Sequence, residues 1–271
     1  MTDQDYDFLR DLIRERSAIV LDDGKRYLVE TRLAPVVRRE KLGSIGELVA
    51  RLRSSRSGGL SDQVIESMVT TESSFFRDIH PFESLRKRVI PELIRKRSAE
   101  RSLNFWCAAC ATGQEPYSLA ILLREDLPEL DGWKINLLAT DLSRDILTRA
   151  REGRFGQLEV NRGLPAALLH RYFQKHGSTW QVNADIRAMV EFRELNLARP
   201  WPYLPRMDLV LLRNVMIYFD VETKKSILGR LDEVLRPDGY LLLGGSETTL
   251  FLDDSYRRVE DLSPGFYQLI E

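Results

Sequence analysis

Phe105 to Ser118 reads FWCAACATGQEPYS, an apolar run that gives way to small residues through Gly113 before Glu115-Pro116 opens a helical pattern. Pro suits the first turn of a helix, because the N–H it lacks there has no intrahelical partner. The segment is therefore a buried strand, a tight small-residue turn and a helix. In open parallel sheets ligands sit in the crevice beyond the strand C-termini, and small side chains there let the backbone approach a ligand closely. The phosphate-cradling patterns are missing: no GxGxxG follows the strand, no GxxxxGK[ST] is present, and no Lys follows Gly113 in this segment. A ligand without phosphates is the better match.

Working outward, short apolar runs alternate with helical stretches. Leu103 to Ala108, Ile135 to Thr140, Met189 to Phe192, Leu209 to Leu212 and Tyr240 to Leu243 read as buried strands, with helices at Pro116 to Glu125, Arg144 to Glu152 and Val221 to Leu235. Such alternation implies an open, mostly parallel α/β sheet. Gly265 to Ile270 reads as a last strand. Between Arg154 and Asn196 the alternation breaks: a helical segment, Pro165 to Phe173, precedes Thr179 to Val182 and Met189 to Phe192, with Asn183 and Asp185 favouring a turn. Part of this region reads as a small antiparallel insertion. Upstream, the first 65 or so residues place Phe8, Leu9, Leu12 and Ile13, then Leu28, Leu33, Val36 and Val37, at helical spacing. They predict a small all-helical domain. Ser54 to Ser61 (SSRSGGLS) has the composition of a loop inside it, since Val64, Ile65, Met68 and Val69 resume the period.

Three further segments carry chemistry. Leu137 to Asp141 (LLATD) puts Asp141 at the end of the second strand, where a carboxylate can accept both ribose hydroxyls of a nucleoside; the bland alternative is an Asp capping the helix that starts near Ser143. Asp208 to Phe219 (DLVLLRNVMIYF) brings Arg213 and Asn214 out at the same rim, followed by Tyr218, which in isolation would more often be a core residue with a satisfied hydroxyl. Thr70 to Asp78 (TTESSFFRD) sets hydroxyls, two aromatics and Arg77 within nine residues. Arg77 could fork onto a carboxylate, or merely pair with Asp78 or Glu83 at the surface.

The chain has 271 residues, 43% hydrophobic and 30% charged, enough to bury a full core in one large or two modest domains. No apolar run approaches the length of a membrane span, and the N-terminus is acidic and polar, so a cytoplasmic protein is expected. A net charge of −1 argues against a nucleic-acid binder driven by overall electrostatics. The charge is nevertheless uneven. Lys25 to Arg56 holds nine Lys or Arg against three Glu, a local +6, and Arg86 to Arg101 holds seven against two, a local +5. Either stretch could face an acidic partner, or both could be solvated helix faces. Cys107 and Cys110 form a CxxC, but His80, His170 and His176 show no ligand spacing, and two small side chains at a strand end explain the pair better than a metal site.

Taken together, TTESSFFRD, ACATGQEPYSLA, ATDLS, the Asn196-Leu197 pair and LLRNVMIYF, in this order, resemble the signature set of the chemotaxis receptor methyltransferase (CheR) family over nearly the whole chain. The resemblance implies a helical domain and linker over 1–78, facing the receptor, and a Rossmann-like class I methyltransferase domain over 79–271. That domain would carry a seven-stranded sheet with its last strand antiparallel, and a three-stranded insertion over about 156–195. It implies S-adenosyl-L-methionine as cofactor and S-adenosyl-L-homocysteine as product. Thr71, Ser73, Arg77, Glu115, Asp141, Asn196, Leu197, Arg213 and Asn214 occupy the cofactor-contacting positions, with Arg77 and Tyr218 nearest the transferred methyl group and no metal involved. The implied reaction is esterification of glutamate side chains on the cytoplasmic helical region of methyl-accepting chemoreceptors, with the enzyme peripheral to those membrane-bound receptors and not bound to nucleic acid.

Three departures stand out. Thr71 and Ser73 replace the family's Asn and Thr before FFR; Gln114-Glu115-Pro116 replaces Glu-Glu-Pro, keeping the Glu next to Pro; and QKHGSTW after Phe173 is shorter and less Gly-rich than in members that dock on a receptor's C-terminal tether, which favours an enzyme independent of the tether. The rival readings are a methyltransferase for RNA or a small molecule, since the cofactor half does not fix the acceptor, and a non-catalytic nucleoside sensor on the same fold.

Overall fold

The computed structural model describes residues 1–54 and 58–270. The chain folds as two compact units, residues 1–70 with 218–223, and residues 71–217 with 224–271.

The first unit is helical: α1 (Asp3–Ser17), α2 (Arg26–Arg39), α3 (Ile45–Ser54) and α4 (Gly58–Met68). Thr2 starts α1 with a capping box, its hydroxyl accepting from the Asp5 N–H while the Asp5 carboxylate accepts from the Thr2 N–H. Apolar residues at helical spacing meet inside, with Leu9, Ile13, Val29, Leu33, Leu48 and Val64 fully buried. Of the loop expected over 54–61, residues 55–57 lie outside the described residues, and Gly58 to Ser61 are already the first turn of α4. The segment 218–223 joins this unit through the Val20 N–H, which donates to the Tyr218 carbonyl at 2.9 Å, and through Arg14, whose Nη2 reaches Asp220 Oδ2 at 2.9 Å.

In the second unit two short helices, α5 (His80–Ser84) and α6 (Ile90–Lys96), precede a seven-stranded sheet. Its strands are β1 (Ser102–Ala108), β2 (Lys134–Asp141), β6 (Val190–Glu194), β7 (Met207–Leu212), β8 (Leu235–Leu243), β9 (Tyr256–Arg258) and β10 (Phe266–Leu269), in the spatial order β6-β2-β1-β7-β8-β10-β9. Pairs from β6 to β8 are parallel, and β10 runs antiparallel to both its neighbours, so the last strand in sequence is the reversed one, as expected. Parallel strands need helical crossovers and are covered on both faces. The sequence obeys: β7 is buried at all six positions. The principal covering helices are α7 (Gln114–Asp126), α8 (Arg144–Glu152) and α12 (Val221–Val234). Ser143 caps α8 by accepting from the Ile146 N–H, and Gly153 ends it at φ 61°.

A separate antiparallel sheet is formed by β3 (Arg154–Gly156), β4 (Phe173–His176) and β5 (Thr179–Val182) in the order β3-β5-β4, with helices α9 (Gln157–Asn161) and α10 (Ala166–Tyr172) between its first two strands in sequence. The run Met189 to Phe192, read among the strands of the parallel sheet, is an edge strand of it and no part of the antiparallel insertion, in register with β2 from Leu137↔Val190 to Asp141↔Glu194, which buries Val190 and Phe192 on one face. The small sheet is completed by β3, which at three residues is too short to show a period. The turn expected at Asn183 and Asp185 is one turn of helix, α11 (Ala184–Arg187). No helix of the described residues is long and apolar enough to cross a membrane.

Candidate functional site

Register places the exits of the parallel strands side by side. Ala108 lies opposite both Thr140 and Leu212, Thr140 opposite Arg193, and Leu212 opposite Leu243. The chain therefore leaves the sheet along one rim at residues 109–113, 141, 196, 213–214 and 244–247. Connections turn one way from β1 to β2 and β6, and the other way at β7, so β1/β7 is the topological switch point where a crevice opens.

The turn after β1 is tightly wound. Ala109 (φ 58°), Ala111 (φ 49°) and Gly113 (φ 97°) all lie in the left-handed region, which larger side chains disfavour. A Cβ on Gly113 would stand 3.1 Å from a Tyr117 ring carbon and 3.3 Å from the Ala150 methyl. The Cys110 N–H donates to the Thr140 carbonyl at 2.8 Å, and the Ala111 N–H donates to Asp141 Oδ2 at 2.9 Å. The other oxygen of Asp141 accepts from the Ser143 N–H at 3.2 Å. Burial pushes the Asp141 carboxyl up, and the backbone N–H groups of Ser143, Ala111 and Leu142 oppose that shift. Asp141 is thus not the helix cap, which is Ser143; it ties two strand exits together and keeps lone pairs for hydroxyl groups. The Cys107 and Cys110 thiols are buried and pushed well up by burial, the reverse of what thiolate chemistry needs.

Arg213 organises the next part of the rim. Its Nη1 donates to Glu115 Oε2 at 2.9 Å, and its Nη2 donates to Asp78 Oδ2 at 2.8 Å and to the Arg77 carbonyl at 3.1 Å. The guanidinium is buried, 6.0 Å from the Phe82 ring centroid. Glu115 is pushed up by burial and held back by Arg213 and, at longer range, by Arg77. Arg77 lies half-buried at the edge of this cluster, with a 3.5 Å contact to the Glu72 carbonyl. Among the described residues no carboxylate is within ion-pair distance of it; Asp78 is taken by Arg213, and Glu83 pairs with Lys87 and His80. Arg77, Glu115 and Arg213 are therefore brought together, with Arg213 facing protein groups.

The FFR segment is fixed from below. Phe75 is fully buried and meets Phe155 of β3 and Phe173 of β4 edge to face, at 5.0 Å and 5.5 Å between ring centroids. The Phe76 N–H donates to Ser118 Oγ at 2.9 Å. Gly163 (φ 89°) passes so close that a Cβ there would stand 2.0 Å from the Phe75 carbonyl oxygen. Phe76 (φ 47°) and Asp78 (φ 62°) adopt left-handed conformations on either side of Arg77.

At the end of β7, Asn214 is also left-handed, at φ 58°. Its Oδ1 is buried with no hydrogen-bond partner. The carboxylate of Glu247 accepts from four backbone N–H groups: Oε1 from Val215 (2.9 Å) and Met216 (2.7 Å), Oε2 from Asn214 (2.7 Å) and Gly244 (2.8 Å). Glu247 is a residue that sequence reasoning missed. Its signal was a lone Glu in the turn GGSE directly after a buried strand, a weak one, since any surface turn can carry a Glu.

The remaining expected residues are more dispersed. Leu195 donates its N–H to the Asp141 carbonyl at 3.0 Å, bringing half-buried Asn196 and buried Leu197 to the rim beside β2. The Leu197 carbonyl accepts from Trp201 Nε1 at 3.2 Å and from Arg230 Nη2 at 2.8 Å, and Arg230 stacks 4.8 Å from the Trp201 ring. Thr71 is exposed and Ser73 half-buried, in extended chain leading to Phe75. Tyr218, half-buried, falls in the helical unit.

The family described as "CheR methyltransferase, SAM binding domain" matches residues 71–262, and "CheR methyltransferase, all-alpha domain" matches residues 4–69. Chemotaxis protein methyltransferase 1 of Pseudomonas aeruginosa is 42% identical over 266 residues, covering 96% of each chain. The chemotaxis protein methyltransferase of Vibrio parahaemolyticus is 34% identical over 269 residues, 98% of this chain and 96% of its own, and that of Borreliella burgdorferi is 31% identical over 242 residues, 88% and 85%.

Proposed function

This chain belongs to the CheR methyltransferase family, and from that premise we propose that it transfers a methyl group from S-adenosyl-L-methionine to glutamate carboxylates of methyl-accepting chemoreceptors. The observation that carries the reading is the chemistry of the rim. It is rich in acceptors, namely Asp141, Glu115 and the unpartnered Asn214 Oδ1, and Arg77 stands at its edge without a carboxylate partner among the described residues. Such a set suits a cofactor bearing hydroxyls, an ammonium and a sulfonium, and the turn at Ala109, Ala111 and Gly113 brings backbone, with little side-chain bulk, to that place. Asp141 would take the ribose hydroxyls; Glu115, Asn196, Leu197 and Asn214 would line the rest, with Thr71 and Ser73 at the approach.

When bound, the cofactor supplies an electrophilic methyl on a sulfonium centre. A glutamate side chain is already ionised at neutral pH, so the protein need not remove a proton. Its task is to bring carboxylate oxygen, methyl carbon and sulfur into line and to exclude water. Arg77 is assigned to the incoming carboxylate, which a guanidinium grips with two parallel hydrogen bonds. Arg213 positions Arg77 by holding its carbonyl and the neighbouring Asp78. Tyr218 is assigned, on its motif match alone, to confining the transferring methyl. The helical domain and its linker, together 1–78, are assigned to receptor docking, and the hairpin β4–β5, closed by only Gly177 and Ser178, favours an enzyme independent of a receptor tether. The enzyme would work from the cytoplasm, peripheral to its membrane-bound substrates.

Radiolabelled cofactor incubated with the protein and receptor-bearing membranes should leave label on the receptor that base releases as volatile methanol. Label that resists base, or no label on receptor despite cofactor binding, would sink the proposal.

A further inference from the structure

Glu247 is buried, yet no cation among the described residues pairs with it; its partners are the four main-chain N–H groups of Asn214, Val215, Met216 and Gly244. A carboxylate held by several N–H dipoles is a strong, well-directed anchor, because each bond is charge-assisted. Three of the four donors are consecutive, and consecutive donors converge on one acceptor only if the chain curls into a nest, here through the left-handed Asn214. Asn is among the few non-glycine residues that adopt this conformation readily, so the residue type itself suits the curl.

The same nest fixes the Asn214 side chain. A Cβ on Gly244 would lie 2.8 Å from Asn214 Nδ2, 2.9 Å from its backbone N and 2.7 Å from Glu247 Oε2, so the amide is packed against bare backbone with no slack. Its Nδ2 lies towards Gly244, and its Oδ1 is left buried and unpartnered. An unmet buried acceptor is costly unless a ligand supplies the missing donor.

We infer that Glu247 is a positioning residue for the cofactor: through its backbone nest it holds Asn214 in the one conformation that presents Oδ1 to a ligand donor. The inference rests on the proposed role of Asn214 in cofactor binding. Glu247 itself touches no ligand in this scheme.

Glu247→Gln tests it with minimal change of shape. Each carboxylate oxygen serves two N–H groups, so whichever way the Gln amide turns, two of the four donors face an NH2. Calorimetry with S-adenosyl-L-homocysteine should show Kd raised by about tenfold or more in E247Q, with the KM for S-adenosyl-L-methionine rising in step and kcat changing less, as expected for loss of a charge-assisted network. Because Glu247 acts through Asn214, the double variant with Asn214→Ala should bind no worse than N214A alone. Additive losses, or an E247Q protein that melts earlier but binds with unchanged Kd, would overturn the inference in favour of a purely structural role. If E247Q does not fold, the wild-type protein answers instead. Its Asn214 side-chain amide should give one sharp NMR pair without ligand and shift on adding S-adenosyl-L-homocysteine; an averaged signal that ignores the ligand overturns the inference. A wild type that binds cofactor but leaves receptors unlabelled refutes the receptor-methylation reading and leaves this inference standing.

Discussion

Two stretches of this chain look alike in sequence and have different fates in the structure. In Arg86–Arg101 four of the seven cations are ion-paired within their own unit. Arg86 reaches Asp126, Lys87 reaches Glu83, Lys96 reaches Glu92, and buried Arg97 bridges Asp208 at 2.7 Å and Asp238 at 3.0 Å. In 25–56 some charges are matched, as in Arg26 with Asp3 and Arg51 with Glu40, but Arg38 and Lys41 stand exposed with no ion pair among the described residues. Local charge in a sequence counts one side only; the acids that neutralise it can lie more than a hundred residues away, as Asp208 and Asp238 do. Arg88 and Arg95 also stand exposed without an ion pair among the described residues, so the stretches differ chiefly in the buried Arg97 bridge; under the proposed function it is the helical unit that is assigned to an acidic receptor helix.

The comparison can be broken or sharpened by experiment. The largest effect should come from Arg97→Ala, which removes the nearest cation from buried Asp208 and leaves it only the Asn104 N–H and Arg236 at 3.4 Å; loss of about 3 kcal/mol of stability is expected in denaturant titration. Next, reversing both Arg38 and Lys41 to Glu should lower kcat/KM towards receptor by about tenfold at low salt and flatten its salt dependence, with an unchanged melting temperature. Equal loss after reversing Lys87 and Arg88 instead would erase the distinction between the stretches. A third, smaller effect concerns acid. Arg97 holds the Asp238 carboxyl below its ordinary value, so the pair's contribution is present above the unfolded-state pKa of about 4 and is lost as pH falls through the lowered one. Stability measured from pH 5 downward should fall less steeply in the Arg97 variant. The smallest effect belongs to Arg86→Ala, whose half-exposed pair with Asp126 should contribute no more than about 1 kcal/mol, with receptor methylation intact.

Much of the fold was legible because buried parallel strands are long apolar runs and their helices carry a clear period: β1, β2, β7, α7 and α8 sit within a residue or two of where pattern alone puts them. Three-residue strands such as β3 and β9 carry no period and were invisible. At the rim, Asp141 was legible because it ends a recognisable strand. Glu247 was not, since its importance lies in which N–H groups curl towards it, a property of the backbone that no side-chain pattern displays. Arg213 was legible as important but not in what it faces: its partners Asp78 and Glu115 come from elements 135 and 98 residues away.

The near-contact of Gly163 with the Phe75 carbonyl, and the wedging of the Phe75 ring between Phe155 and Phe173, join the antiparallel insertion to the segment that carries Arg77. Chimaeras between relatives cannot treat residues 154–182 as a detachable cassette: a transplanted insertion must bring a matching Phe75 segment with it. Over generations the two stretches should drift as one heritable block, although some eighty residues of independent chain run between them.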